Sequence, residues 1–311
     1  MNKFKGFLFG MTASSTFGLL PLFTLPIMSE GLTTNSILCY RMLFASALVA
    51  VLMQVRKIAF RTNLRELLWF AFLGFFYYGS ASLLFQAYGT MSSGMATTLH
   101  FLYPVGVTLI MALVFKQRPS PFTILAIILG LSGVALLSLR ESGGSSSASL
   151  VGILLVLLSG LSYAAYLVTM NNVRRVRESN NLKLTLYVLI FSALFFLLDT
   201  SLSGGLQMIP SGRALTNLLL LAFLPTLVSN LALVRAVKSI GSTLTSVLGA
   251  MEPLTAIVIG VVVFGEEVTG PMALGILLIL LSVTIIVLSP LLDKNIADRL
   301  RRLSKRPIRR Q

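Results

Sequence analysis

Leu248-Gly249-Ala250-Met251-Glu252-Pro253 lies near the centre of an apolar run long enough to span a bilayer. Leu99-His100-Phe101-Leu102-Tyr103-Pro104 lies near the centre of another, its proline 149 residues before Pro253. At the same offset Ser93 pairs with Ser242, Leu99 with Leu248, Ile110 with Ile259, Val114 with Val263 and Phe115 with Phe264. A proline has no N–H to donate and crowds the preceding turn, so each run should open at its proline. Pro104 and Pro253 are therefore the expected helix breaks.

The surrounding sequence is apolar throughout. Of its 311 residues, 56% are hydrophobic and 11% charged, against roughly 25% charged in soluble domains. About 20 apolar residues in a row cross the hydrocarbon layer as a helix. Ten such spans are expected, at about 6–28, 36–54, 66–88, 92–115, 121–139, 151–170, 184–200, 214–235, 241–264 and 270–290. The fold class is all-α and polytopic, with no soluble domain. The first run follows Lys3 and Lys5 as a signal peptide would. It is longer than a signal h-region and nine spans follow it, so it reads as an uncleaved helix.

The two proline runs are the fourth and ninth spans. Five spans separate them, an odd number, so the second copy crosses in the opposite direction. The chain divides into a first five-helix repeat at 1–140, a polar linker at 141–150 containing Gly143-Gly-Ser-Ser-Ser-Ala-Ser149, a second repeat at 151–290 and a basic tail at 291–311. An inverted repeat with broken helices meeting near the midplane is the pattern of a secondary transporter.

Net charge +15 would suggest nucleic acid in a soluble protein. Here the basic residues fall in short loops, which excludes a nucleic-acid face. With the N-terminus inside, Lys3, Lys5, Arg56, Lys57, Arg61, Arg65, Lys116, Arg118, Arg174, Arg175, Arg177, Lys183, Arg235 and Lys238 fall on the inner side, as do eight more in the tail. The outer loops hold only Arg140 and Arg213. This asymmetry predicts both termini in the cytoplasm. Lys116-Gln117-Arg118 after span four is matched by Gly265-Glu266-Glu267 after span nine. The charge reverses, as it should if the loops face opposite sides. The tail, from Arg299 to Arg310, either lies on anionic lipid at about 1 kcal/mol per basic residue or serves topology alone.

Charged groups inside the bilayer are costly and mark function by default. Three ionisable groups remain at depth: Arg41, His100 and Glu252. Glu252 sits beside opened carbonyls at Pro253, where it could carry protons, contact a cationic substrate group or lock helices by an ion pair. Thr97, His100 and Tyr103 share one helix face, and Thr245, Gly249, Glu252 and Thr255 share another. The two stripes are expected to confront each other. His100 could titrate, bind substrate or hold helices together. Arg41 could take a carboxylate bidentately, snorkel to the outer interface or pair with a backbone carbonyl. Ser14, Ser15, Thr16 and Gly18 make a small, polar face suited to close packing or to lining a pathway. Tyr77, Tyr78, Gln86, Asn230, Phe17, Tyr163 and Tyr166 offer aromatic and amide groups for a planar or amphipathic solute.

Other chemistry lacks its residues. There is no P-loop, no His-Glu-x-x-His and no Cys/His cluster, so neither a cofactor nor a metal is expected. The single cysteine, Cys39, excludes an internal disulfide and reads as a small packed residue. An intramembrane enzyme would need a nucleophile or metal set, and none is visible.

Five plus five spans with Pro104 in the first half resemble the drug/metabolite transporter superfamily, in particular its EamA branch. The matching residues are Arg41 opening span two, Ala87 and Ala236 late in spans three and eight, and Met251-Glu252-Pro253-Leu254 followed by Val263-Phe264-Gly265-Glu266-Glu267. The first repeat departs from this pattern: Tyr103 stands where Glu252 stands, and Gln117 where Glu266 stands. The resemblance implies a central cavity between the repeats, alternately open to each side, and a small-molecule substrate often moved outward. The expected partners are such a substrate (an amino acid for example), protons and membrane lipids, with a homodimer left open. A non-transporting receptor or scaffold using the basic tail is the alternative.

Overall fold

The computed structural model describes residues 3–88, 90, 96, 99–117, 119–138, 150–264 and 270–304. Thr97, Ser93, Arg118, Arg140, the linker 141–149, Gly265-Glu266-Glu267 and the basic side chains of the tail lie outside the described residues.

The described residues form helices and no strand. In chain order they are α1 (Lys3–Phe17), α2 (Leu20–Ser29), α3 (Thr34–Val55), α4 (Leu64–Tyr88), α5 (Tyr103–Leu113), α6 (Pro121–Ser138), α7 (Leu150–Asn172), α8 (Arg174–Glu178), α9 (Asn181–Leu202), α10 (Gly212–Ala222), α11 (Ser229–Ile240), α12 (Ser242–Leu248), α13 (Met251–Phe264) and α14 (Gly270–Ser304). A π-helical turn, Phe223–Val228, joins α10 to α11. Local chemistry sets several ends. The Asn180 side chain caps α9 by accepting from Leu182 N at 2.9 Å, and Ser211 Oγ caps α10 by accepting from Ala214 N at 3.0 Å. Both satisfy donors a helix start leaves free. Gly241, at φ 87, makes the left-handed corner between α11 and α12.

Six helical runs are long and apolar enough to cross a membrane: Lys3–Ser29, Thr34–Val55, Leu64–Ala87, Leu150–Asn172, Asn181–Leu202 and Gly212–Ile240. Ten spans were expected, the fourth and ninth of them broken at Pro104 and Pro253. The expected spans four and nine are interrupted: turns at Phe101-Leu102 and at Gly249-Ala250 stand just ahead of Pro104 and Pro253. The first expected span, 6–28, is also not one helix. It breaks at Gly18-Leu19, ahead of Pro21 in the first turn of α2. The last helix runs past the expected edge at 290 to Ser304.

Outward side chains are apolar. Leu109, Leu113, Ile128, Leu158, Leu198 and Val262 are all exposed, a surface suited to lipid and not to water. Inside, helices meet through small residues. A Cβ on Gly133 of α6 would lie 2.8 Å from the Gly275 carbonyl of α14. Serines tie neighbours: Ser282 Oγ donates to Ala126 O (2.6 Å), Ser192 Oγ to Gly74 O (3.0 Å) and Ser229 Oγ to Ala13 O (2.9 Å). In lipid, close packing and such bonds, at about 0.6 kcal/mol each, hold helices together.

The packing pairs α14 with α6, α4 with α7, α1 with α11, and α9 with both α3 and α4; α10 lies beside α2 and α3. One end of the bundle is basic. There Lys183 Nζ donates to Arg61 O (2.9 Å) and Lys238 Nζ to Ser179 O (2.7 Å) and Asn181 Oδ1 (2.9 Å). At the other end the 203–211 connection docks on the start of α3, with Thr33 N donating to Gln207 Oε1 and Tyr40 Oη to Gln207 O (2.7 Å).

Candidate functional site

The two interruptions meet. The Tyr103 hydroxyl, one residue before Pro104, occupies the space where a Cβ of Gly249 would stand. A side chain at Gly249 would exclude it, so this glycine is required by a close approach rather than by a turn. Tyr103 is buried, edge-on to Tyr163 at 4.8 Å between ring centroids and to Phe101 at 5.6 Å.

Around this junction lies a cavity lined by Ser14 and Phe17 of α1, Tyr77 of α4, Tyr103 of α5, Tyr163 of α7, Asn230 of α11, Thr245 of α12 and Glu252 of α13, among others. Its volume is about 10 Å³, room for about one water. The centre is therefore closed. A second recess, about 220 Å³, opens at the basic end between Thr108, Gln117, Ser120, Asn171 and Thr243.

Of the residues proposed from sequence, Glu252, Tyr103, Tyr163 and Asn230 line the cavity. The Asn230 amide donates to Tyr77 Oη at 3.2 Å and to Thr226 O at 2.8 Å. His100 stands just behind, its ring 5.7 Å from Tyr103 and 6.1 Å from Tyr163. Its Nδ1 lies 3.0 Å from Ser159 Oγ, whose hydroxyl donates to Ser80 O. A hydroxyl has one proton, so Nδ1–H must be the donor. Tyr78 is not brought to the cavity. It packs on Phe196 (4.7 Å) and Phe195 (5.7 Å) between α4 and α9. Thr97 lies outside the described residues.

Arg41 departs from the snorkelling expectation. It is 3% exposed and is the one charged side chain among the described residues that is fully buried. Its partner is a residue the sequence reading missed. Pro225 has no N–H, so the Leu221 carbonyl loses its helical donor. The Thr226 hydroxyl donates to that carbonyl at 2.8 Å, and the same oxygen accepts from Arg41 Nε at 2.7 Å. The π-helical turn thus supplies a polar handle for the guanidinium, and such turns are frequent at functional sites. The Phe17 ring covers Arg41, 5.2 Å from the centroid. Gly18 then packs on the Glu252 carbonyl and on Thr255. No carboxylate stands within salt-bridge distance of Arg41 among the described residues.

These features define a polytopic helical membrane protein closed around a buried polar centre, with broken helices at its heart. The chain belongs to the EamA-like transporter family, whose model matches residues 4–139 and 150–288. It is similar to the "Uncharacterized transporter sll1319" of Synechocystis sp., 26% identical over 239 residues, which are 74% of this chain and 71% of the relative. A solved crystal structure shares the fold over 94% of this chain and 98% of its own, with a TM-score of 0.79 and 20% identity. The protein is a membrane transporter for a small molecule and not an enzyme.

Proposed function

We propose that this transporter is a secondary-active carrier of small organic metabolites, such as amino acids, which it exports by alternating access from a bacterial inner membrane with both termini in the cytoplasm. The observation that carries this reading is the junction of Tyr103 with Gly249 beside Glu252 at a closed, polar cavity. Broken helices at the midplane are where carriers bind cargo. The reading has the chain as two inverted five-helix repeats, ten crossings in all. The helix contacts support it. Moving each partner by five expected spans turns α4–α7 into α1–α11, α5–α7 into α1–α13, and α9–α4 into α3–α10, and all of these contacts occur.

Cargo would enter when the halves rock apart on one side, and leave when they rock apart on the other. Protons would couple through Glu252, which lines the cavity with Tyr103 and Tyr163 and has no salt bridge to Arg41. The test is flux of an amino-acid panel in proteoliposomes under an imposed pH gradient. The expected result is wild-type flux that responds to the gradient and Glu252→Gln flux that does not. A variant keeping the wild-type response removes the coupling role, and absence of flux for any small metabolite removes the carrier reading.

A further inference from the structure

Arg41 carries an unmet demand. It is fully buried, its Nε is committed to Thr226, and its Nη2 has no hydrogen-bond partner. A buried polar group without a partner costs about 1–3 kcal/mol, more when it is charged. Such a group calls for a missing partner. Among the described residues no carboxylate stands within salt-bridge distance: the guanidinium touches the Thr226 hydroxyl and the face of the Phe17 ring, while Tyr77, Tyr163 and Glu252 of the cavity are near enough only for longer-range attraction.

Phe17 links this guanidinium to the cavity: its ring stands over Arg41 and is also part of the cavity lining. It also ends α1, immediately before the Gly18-Leu19 interruption, so its position is set by a helix end and not by a helix interior. A change of Phe17 rotamer would open Arg41 to whatever occupies the cavity.

We infer that Arg41 is the docking point for a carboxylate on the transported molecule, covered by Phe17 in the closed state and uncovered when cargo is bound. This deepens the carrier reading and rests on it. A guanidinium with Nε already engaged still presents its terminal nitrogens to a planar anion. A monoanion fits better than a dianion. Arg41 is the one fully buried charged side chain among the described residues, and the Glu252 carboxyl lining the same cavity opposes further negative charge. The carboxylate completes the guanidinium's bonding. The rest of the cargo then lies in the aromatic cavity of Tyr77, Tyr103 and Tyr163.

The test uses proteoliposomes holding full-length protein, with L-leucine, L-phenylalanine and L-glutamine each set against its amide and its decarboxylated amine. Wild type should take up at least one acid in preference to its amide and amine by about tenfold or more. Arg41→Met should lose that preference. Amides and amines carried as well as acids, or a preference that survives in Arg41→Met, would overturn the inference while leaving the carrier reading intact. Flux of nothing on the panel would count against both. Should Arg41→Met fail to fold, Phe17→Ala gives a second reading. Phenylglyoxal modification of Arg41, followed by peptide mass analysis, should be faster in Phe17→Ala than in wild type and slowed by the preferred acid. An unchanged rate, or no protection, would overturn it.

Discussion

Gly249→Ala should destabilise the protein by an amount the Tyr103 ring sets. The added methyl would fall on the Tyr103 hydroxyl, with the ring's Cζ 2.9 Å away and the Ser246 carbonyl 2.8 Å away. The carbonyl is backbone and the ring is rigid, wedged against Tyr163 and Phe101. Neither neighbour yields as a flexible chain would. Overpacking of this kind costs about 1–3 kcal/mol, or several degrees of Tm at about 2–4 °C per kcal/mol for a chain of about 150–250 residues. Tyr103→Phe removes the clashing oxygen and should recover part of the loss in the double variant. Recovery is partial because Cζ remains. The assay is thermal unfolding of purified wild type, both single variants and the double, read as a double-mutant cycle with a coupling of about 0.5–3 kcal/mol. Equal Tm values for Gly249→Ala and wild type, or additive single effects, would refute the meeting of the two breaks.

Two more substitutions probe the polar supports behind the cavity. Ser159→Ala should strand the His100 Nδ1–H, since the Ser80 carbonyl keeps its helical donor, and lower stability by about 1–3 kcal/mol, seen as a lower Tm. An unchanged Tm would mean the imidazole finds another partner. Thr226→Val keeps the shape but leaves the Leu221 carbonyl and Arg41 Nε without their shared hydroxyl; the expected loss is again about 1–3 kcal/mol per group. It should also raise phenylglyoxal modification of Arg41, because the side chain is no longer held.

The breaks were legible because proline acts locally. Pro104 and Pro253 each remove one donor, and turns stand where that removal predicts. Glu252, Tyr103, Tyr163 and Asn230 were legible as polar or aromatic groups in apolar runs. Tyr78 shows where that logic ends. Tyr77 and Tyr78 are adjacent, and successive residues of a helix of 3.6 per turn point about 100° apart. Only one of them can face the cavity, and composition does not say which. It is Tyr77 that donates a surface to the cavity and accepts from Asn230. The Arg41 site was illegible for a different reason. Its partner Thr226 is 185 residues away, and the pairing depends on which helices touch. Its one local signal was Pro225-Thr226 inside an apolar span, the same proline rule applied at a third position. The break at Gly18 carried a similar signal in Pro21.

The most direct test of the account is access to the cavity from both faces of the membrane. Cys39 is the single cysteine and is buried, so Cys39→Ala gives a background for Ser14→Cys, whose side chain lines the closed cavity. A membrane-impermeant maleimide is applied to right-side-out and to inside-out vesicles. Labelling is expected from both sides, each through the population open to that side. Labelling from one side alone, or from neither, would contradict it.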